Sequence, residues 1–226
     1  MQSPAQIDPA MLTNTVTAYA TILSGVLCIV LTLLTRPQPN RWLLFYFCII
    51  LTGIPTVWYH GFGETFAASV GETATLYLLL WAFQVAVLGD YYGKRNRFII
   101  AGASAAANAL ALLYKIVAGP VRSRVFVLHL GGNNGYHITE AVIILDALLV
   151  AALFLVKLPK TYAHAKPLLY LNIVIFLTGL FLAIPANSLV DYRILAYRAI
   201  WHLVGSFGFL TLWIFNFIRF SAIKIR

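Results

Sequence analysis

The sequence predicts one all-helical integral membrane domain over residues 1–226: a seven-transmembrane-helix bundle, N-terminus outside, C-terminus cytoplasmic. Three observations carry that expectation. The 226-residue chain is 61% hydrophobic and only 10% charged, with a mean hydropathy of +0.85, whereas a soluble domain carries about 25% charged residues. Seven apolar runs are long enough to cross ~30 Å of hydrocarbon. The cations between those runs fall in short loops and favour one side.

The runs span residues 13–35, 42–59, 70–89, 98–118, 138–156, 167–186 and 199–220. Lipid offers no water to backbone amides and carbonyls, so each is expected to be a helix. Residues 1–12 form a short polar outer leader. It carries no basic residue, unlike a cleaved signal peptide, so the first run is expected to stay as a helix. That run has no charge and reads as scaffold or lipid-facing surface. The fourth contains Gly102-Ala-Ser-Ala-Ala-Ala-Asn108, a small-residue face suited to close helix contact. The fifth holds Asp146 in mid-helix, where a charge is costly and calls for a partner such as Asn108 or Asn172.

Trp42, Trp58 and Trp201 lie near run ends and are read as interfacial anchors. Lys115 is expected to snorkel outward. In the longest connection, 119–137, an alternating run at 124–130 precedes a Gly-Gly-Asn-Asn-Gly turn signal; a short extended flap and an irregular loop both fit. His129, His164, Glu64 and Glu140 read as solvated rim or loop residues. Cys28 and Cys48 fall inside apolar runs, so they read as small buried residues and leave the compartment open.

Orientation follows from the loops. One side collects Arg36, Arg41, Lys94, Arg95, Arg97, Lys157, Lys160, Lys166, Arg219, Lys224 and Arg226 against the single acid Asp90. The other mixes Lys115, Arg122, Arg124, Arg193 and Arg198 with Asp8, Glu64, Glu72, Glu140 and Asp191. The cation-rich side is expected to be cytoplasmic. The net charge of +9 is therefore a topology signal rather than a nucleic-acid-binding patch.

That topology gathers polar residues near the outer boundary. The second helix reaches its outer end through Gly53-Ile-Pro-Thr-Val-Trp-Tyr-His60, with Thr56 one turn deeper. The third carries Glu72 in its first turn. The seventh helix carries Arg198-Ala-Ile-Trp-His202 in its first turns, placing Arg198 and His202 on one face. At 1.5 Å rise per residue, these five groups are expected within a few ångströms of one depth.

These motifs resemble the CREST superfamily, the alkaline ceramidase and adipoQ-receptor group of seven-helix membrane hydrolases. The resemblance covers the seven-helix plan and about twenty residues of motif. It implies that His60 and His202 are zinc ligands, that Thr56 stands for the family's Ser, and that Glu72 stands for its Asp. It further implies an attack by zinc-activated water on a lipid amide. Arg198 occupies the position of the family's other histidine, and zinc catalysis usually takes three protein ligands.

Two readings follow. In one, His137 or Glu72 completes the metal site, Glu72 acts as general base and Thr56 holds water or the oxyanion. In the other no metal binds: Arg198 pairs with Glu72 or Asp191, and the histidines cap three helices. The functions expected are correspondingly a ceramidase-like hydrolase of a lipid amide or ester, or a non-catalytic receptor, lipid or pigment binder, or accessory subunit with membrane-protein partners. The location is a bacterial inner membrane or a eukaryotic endomembrane. A transporter is disfavoured, because Asp146 is the one mid-helix ionisable group and the halves show no repeated broken helices.

Overall fold

The computed structural model describes residues 9–35, 38–62, 65–122, 138–157, 165–183 and 197–224. They form seven helices in order: α1 (Pro9–Thr35), α2 (Asn40–Phe62), α3 (Phe66–Tyr91), α4 (Lys94–Arg122), α5 (Ile138–Lys157), α6 (Lys166–Ala183) and α7 (Tyr197–Lys224). Most run a few residues past the apolar stretch that predicts them, because polar residues continue the helix beyond the hydrocarbon-matched length. At α3 the start is fixed by Thr65, whose side chain accepts the Ala68 N–H at 3.2 Å and so satisfies one orphan donor of the first turn. Within α4, Gly119 adopts φ 69° and interrupts the regular helix there, a conformation that glycine reaches without a Cβ penalty.

Five helices, α1 to α4 and α7, are long and apolar enough to cross a membrane; α5 and α6 contain shorter apolar stretches, Ala141–Phe154 and Lys166–Gly179. These lengths and compositions mark a membrane protein.

Neighbouring side chains establish helix direction. Thr17 meets His202, Thr21 meets Ser206 and Thr32 meets Trp213, so α1 and α7 are parallel. Thr52 reaches Thr75 O while Trp42 reaches Asp90, so α2 and α3 are antiparallel. Tyr77 to Thr139, Gln84 to Asp146 and Tyr92 to Leu153 make α3 and α5 parallel. Asn172 to Thr211 and Gly179 beside Trp201 make α6 antiparallel to α7. Successive helices alternate, and α1, α3, α5 and α7 all begin at one end, here the His60 end. The opposite, Asp90 end carries Arg41, Lys94, Arg95, Arg97, Lys166 and Arg219, as the loop charges anticipate.

α1 lies against α2 and α7, α2 against α3, α3 and α4 against α5, and α6 against α7. The α1–α2 crossing is close because of glycine. A Cβ added at Gly25 would lie 2.8 Å from the Ile50 side chain and 3.1 Å from Tyr46 O, and one at Gly53 would lie 3.2 Å from Ile22 N. Towards the Asp90 end the interior is aromatic. Phe45 and Phe83 have ring centroids 4.8 Å apart, and Phe154 and Phe215 5.6 Å apart, which joins α2 to α3 and α5 to α7 in one buried cluster.

Three expectations change. Trp42 is not an interfacial anchor but fully buried, its Nε1 donating to Asp90; Trp58 does remain exposed. The small-residue run of α4 is not its contact face. Gly102, Ala103 and Ala105 to Ala107 are exposed, while Ser104, Asn108, Ala111 and Lys115 are buried. That i, i+4, i+7, i+11 stripe turns polar groups inward, where they find partners. Lys115 does not snorkel outward either: it is buried and reaches α3. The segment 124–135 and the residues Glu64, His129, His137 and His164 lie outside the described residues.

Candidate functional site

Polar side chains inside an apolar bundle need partners, since an unpaired buried donor or acceptor costs on the order of 1–3 kcal/mol. They gather at three levels. At the His60 end, His60 and His202 are both buried, with ring centroids 5.4 Å apart and planes inclined at 56°. Glycine packing brings α1 to the same level, because Thr15 lies against Gly61. Thr17 then stands 3.1 Å from Nδ1 of His202.

The Thr17 hydroxyl, which also lies 2.8 Å from Thr13 O, links α1 to the His202 ring, and which of the two side chains donates depends on the imidazole tautomer. With Nδ1 facing Thr17, Nε2 is the nitrogen of His202 that a metal would use. Tyr59 packs edge-on against His60 at 5.1 Å between centroids.

The spacing fits a shared ion. Two imidazoles bound tetrahedrally to one zinc at 2.0–2.1 Å have centroids about 5 Å apart. The pair would supply two ligands. Among the described residues no group of three or more His, Cys, Asp and Glu side chains is placed to hold a metal. His137 falls outside those residues, as does the side chain of Arg198; its backbone lies in the first turn of α7, one turn before His202.

Register places Thr56 and Glu72 deeper than the histidines. A Cβ on Gly71 would sit 3.6 Å from Pro55, and Thr52 donates to Thr75 O, so Glu72 is level with Pro55 and Thr56. His60 lies four to five residues further along α2, roughly 7 Å. Glu72 is half-buried. Thr56 is buried and its hydroxyl donates to Thr52 O at 2.9 Å. The hydroxyl rotates, so Oγ1 can accept from a water or, by giving up the Thr52 bond, donate to an oxyanion. The expected single layer is thus two tiers, a pair of imidazoles above a carboxylate and a hydroxyl.

Beside it, Lys115 Nζ donates to Ser69 O at 3.1 Å, Ser69 Oγ at 2.8 Å and Thr73 Oγ1 at 2.7 Å, three acceptors for the three N–H bonds of an ammonium. Half-way along the bundle, Gln84 Nε2 and Ser104 Oγ donate to Asp146 Oδ1 at 3.0 and 2.9 Å, and Asn108 Nδ2 donates to Oδ2 at 2.7 Å. Asn108 is a partner the sequence suggests; Asn172 is not, since it bonds Leu168 O and Thr211.

At the far end Asp90 receives Arg41 through Nε and Nη2, Trp42 Nε1 at 3.1 Å and Arg219 Nη2 at 2.6 Å. Arg219, which reads from sequence as a loop cation, is buried. It also donates to Tyr91 Oη and Asn216 Oδ1 and lies over the rings of Trp42, Tyr91, Phe215 and Phe220 at 4.3–5.6 Å.

The residue that sequence reasoning misses at the His60 end is Thr17. Its signal is legible, because Asn14, Thr17, Thr21, Ser24, Cys28 and Thr32 recur at three- and four-residue spacing in a helix read as inert scaffold. No protein-family model matches this chain, and no curated protein matches it.

Proposed function

We propose that the chain is a multi-pass membrane protein of seven spanning helices, His60 end outward, that holds zinc there and hydrolyses a lipid amide or ester. The observation that carries this reading is the buried His60–His202 pair, whose ring spacing suits one tetrahedral ion. The N-out orientation rests on the cations gathered at the Asp90 end. The resemblance to the CREST hydrolases supplies the reaction class.

Zinc, when bound, polarises a carbonyl and makes water a nucleophile at neutral pH. The chain's own residues would do the rest. His60 and His202 would hold the ion, His137 or Glu72 would supply the third ligand, and Thr17 would orient the His202 ring through its contact with Nδ1. With His137 as that ligand, Glu72 would serve as general base, and Thr56 would hold water or the oxyanion from the same tier.

The test is zinc content and lipid-amide hydrolysis in purified protein. Stoichiometric zinc lost together with hydrolysis in His60→Ala and His202→Ala supports the reading. Protein that takes up no zinc, or whose zinc is unchanged in both variants, overturns it.

One observation favours a second reading. Arg198 stands where the resemblance expects a third histidine, and a permanent cation repels a metal. In that case the histidines form a polar cap and the protein is a non-catalytic binder or an accessory subunit of a membrane assembly. Hydrolysis by the pure chain would exclude it.

A further inference from the structure

Asp146 stands apart from the site just described. It is 6% exposed, midway along α5, and its oxygens receive three donors, Gln84 Nε2, Ser104 Oγ and Asn108 Nδ2. Three donors and no acceptor are the complement of an ionised carboxylate. All three partners are neutral, and among the described residues no Lys, Arg or His pairs with Asp146. A buried charge without a counter-charge is strongly disfavoured in an apolar interior.

A second observation points the same way. The amide oxygens of the two clasping residues, Gln84 Oε1 and Asn108 Oδ1, are buried without a hydrogen-bond partner. Gln84 is 0% exposed and Asn108 5%. An amide oxygen lies about 2.2 Å from its own nitrogen, and both nitrogens bond Asp146, so each orphan oxygen lies within about 5 Å of a carboxylate oxygen. A carboxylate, two unsatisfied carbonyl-type oxygens and the Ser104 hydroxyl oxygen are therefore neighbours between α3, α4 and α5.

A water molecule would satisfy the amide oxygens but leave the charge. A divalent ion would ask for more anionic ligands than the single carboxylate present. A monovalent metal cation satisfies both requirements with oxygen donors alone. We propose that Asp146, Ser104, Asn108 and Gln84 form a buried binding site for a sodium-sized monovalent cation that locks α3, α4 and α5 together.

The experiment is thermal unfolding of the full purified chain in detergent at fixed ionic strength, with choline chloride replaced stepwise by sodium, lithium or potassium chloride. A cation that binds the folded state raises the midpoint saturably, by roughly 3–6 °C at a tenfold excess over its Kd. The proposal expects that rise with sodium, and its disappearance in Asp146→Asn and in Gln84→Leu. Identical midpoints in sodium and choline overturn it in the wild-type protein alone, whether or not either variant folds. A sodium effect undiminished in a folded Asp146→Asn protein also overturns it. So does a midpoint that ignores cations but rises as pH falls, since that assigns the counter-charge to a proton.

Discussion

The two ends of the bundle hold charged and polar side chains in opposite ways. At the Asp90 end, four donors from Arg41, Trp42 and Arg219 occupy the two carboxylate oxygens, which matches the roughly four lone-pair positions such a group offers. Arg219 is further enclosed by four aromatic rings. The node joins α2, α3 and α7, with Arg219 Nε buried and without a hydrogen-bond partner among the described residues. At the His60 end two buried imidazoles lie with centroids 5.4 Å apart, Nδ1 of His202 meets the Thr17 hydroxyl, and Thr56 turns its hydroxyl back to Thr52 O. A carboxylate ringed by cationic and indole donors is a structural clasp; two imidazoles at ligand spacing are a candidate site.

Asp90→Asn removes the only carboxylate that Arg219 touches among the described residues and leaves a buried guanidinium without its counter-charge. The expected loss is about 3–5 kcal/mol, read as a large fall in the unfolding midpoint in detergent. A loss below about 1 kcal/mol would show that the node is not a structural clasp. Zinc affinity per folded molecule should stay unchanged, because the histidines are at the other end.

Next in size is Thr17→Val, which keeps shape but removes the hydroxyl that meets Nδ1 of His202. Loss of such an orienting partner typically lowers metal affinity 10–100-fold, measurable by competition with a chelator. The unfolding midpoint of the metal-free protein should fall only modestly, as for one hydrogen bond of about 1 kcal/mol. Unaltered zinc affinity would mean that Thr17 does not orient the ligand.

The smallest effect belongs to Arg41→Met. The Arg41 side chain is 30% exposed where that of Arg219 is 2%, so solvent competes for the pair and the expected loss is about 1 kcal/mol or less. A cost equal to that of Asp90→Asn would contradict the division between a buried and a screened arginine.

What the sequence made legible divides along physical lines. The apolar runs announce the helices because period and length are local properties, and the loop cations group by end because alternation follows from short connections. Helix partners are another matter. Arg219 and Asp90 are 129 residues apart, and nothing local distinguishes a snorkelling arginine from a buried one. Trp42 and Lys115 sit near run ends, where the interfacial reading is the usual one, yet Asp90 draws the first inward and Ser69 and Thr73 draw the second. The depth of Glu72 relative to His60 depends on how α2 and α3 slide past each other, which the Thr52–Thr75 contact reveals and hydropathy does not. His60 and His202 stand out from sequence because intramembrane histidines are rare; Thr17, the α1 partner of His202, is only one residue in a stripe of six.

Whether His60 and His202 share one metal ion is read from anomalous scattering at the zinc edge in crystals of zinc-replete protein. The expected result is a peak within about 2 Å of a ring nitrogen of each histidine, at Nε2 in the case of His202. Ordered His60 and His202 side chains with no anomalous peak between them would rule out a shared ion.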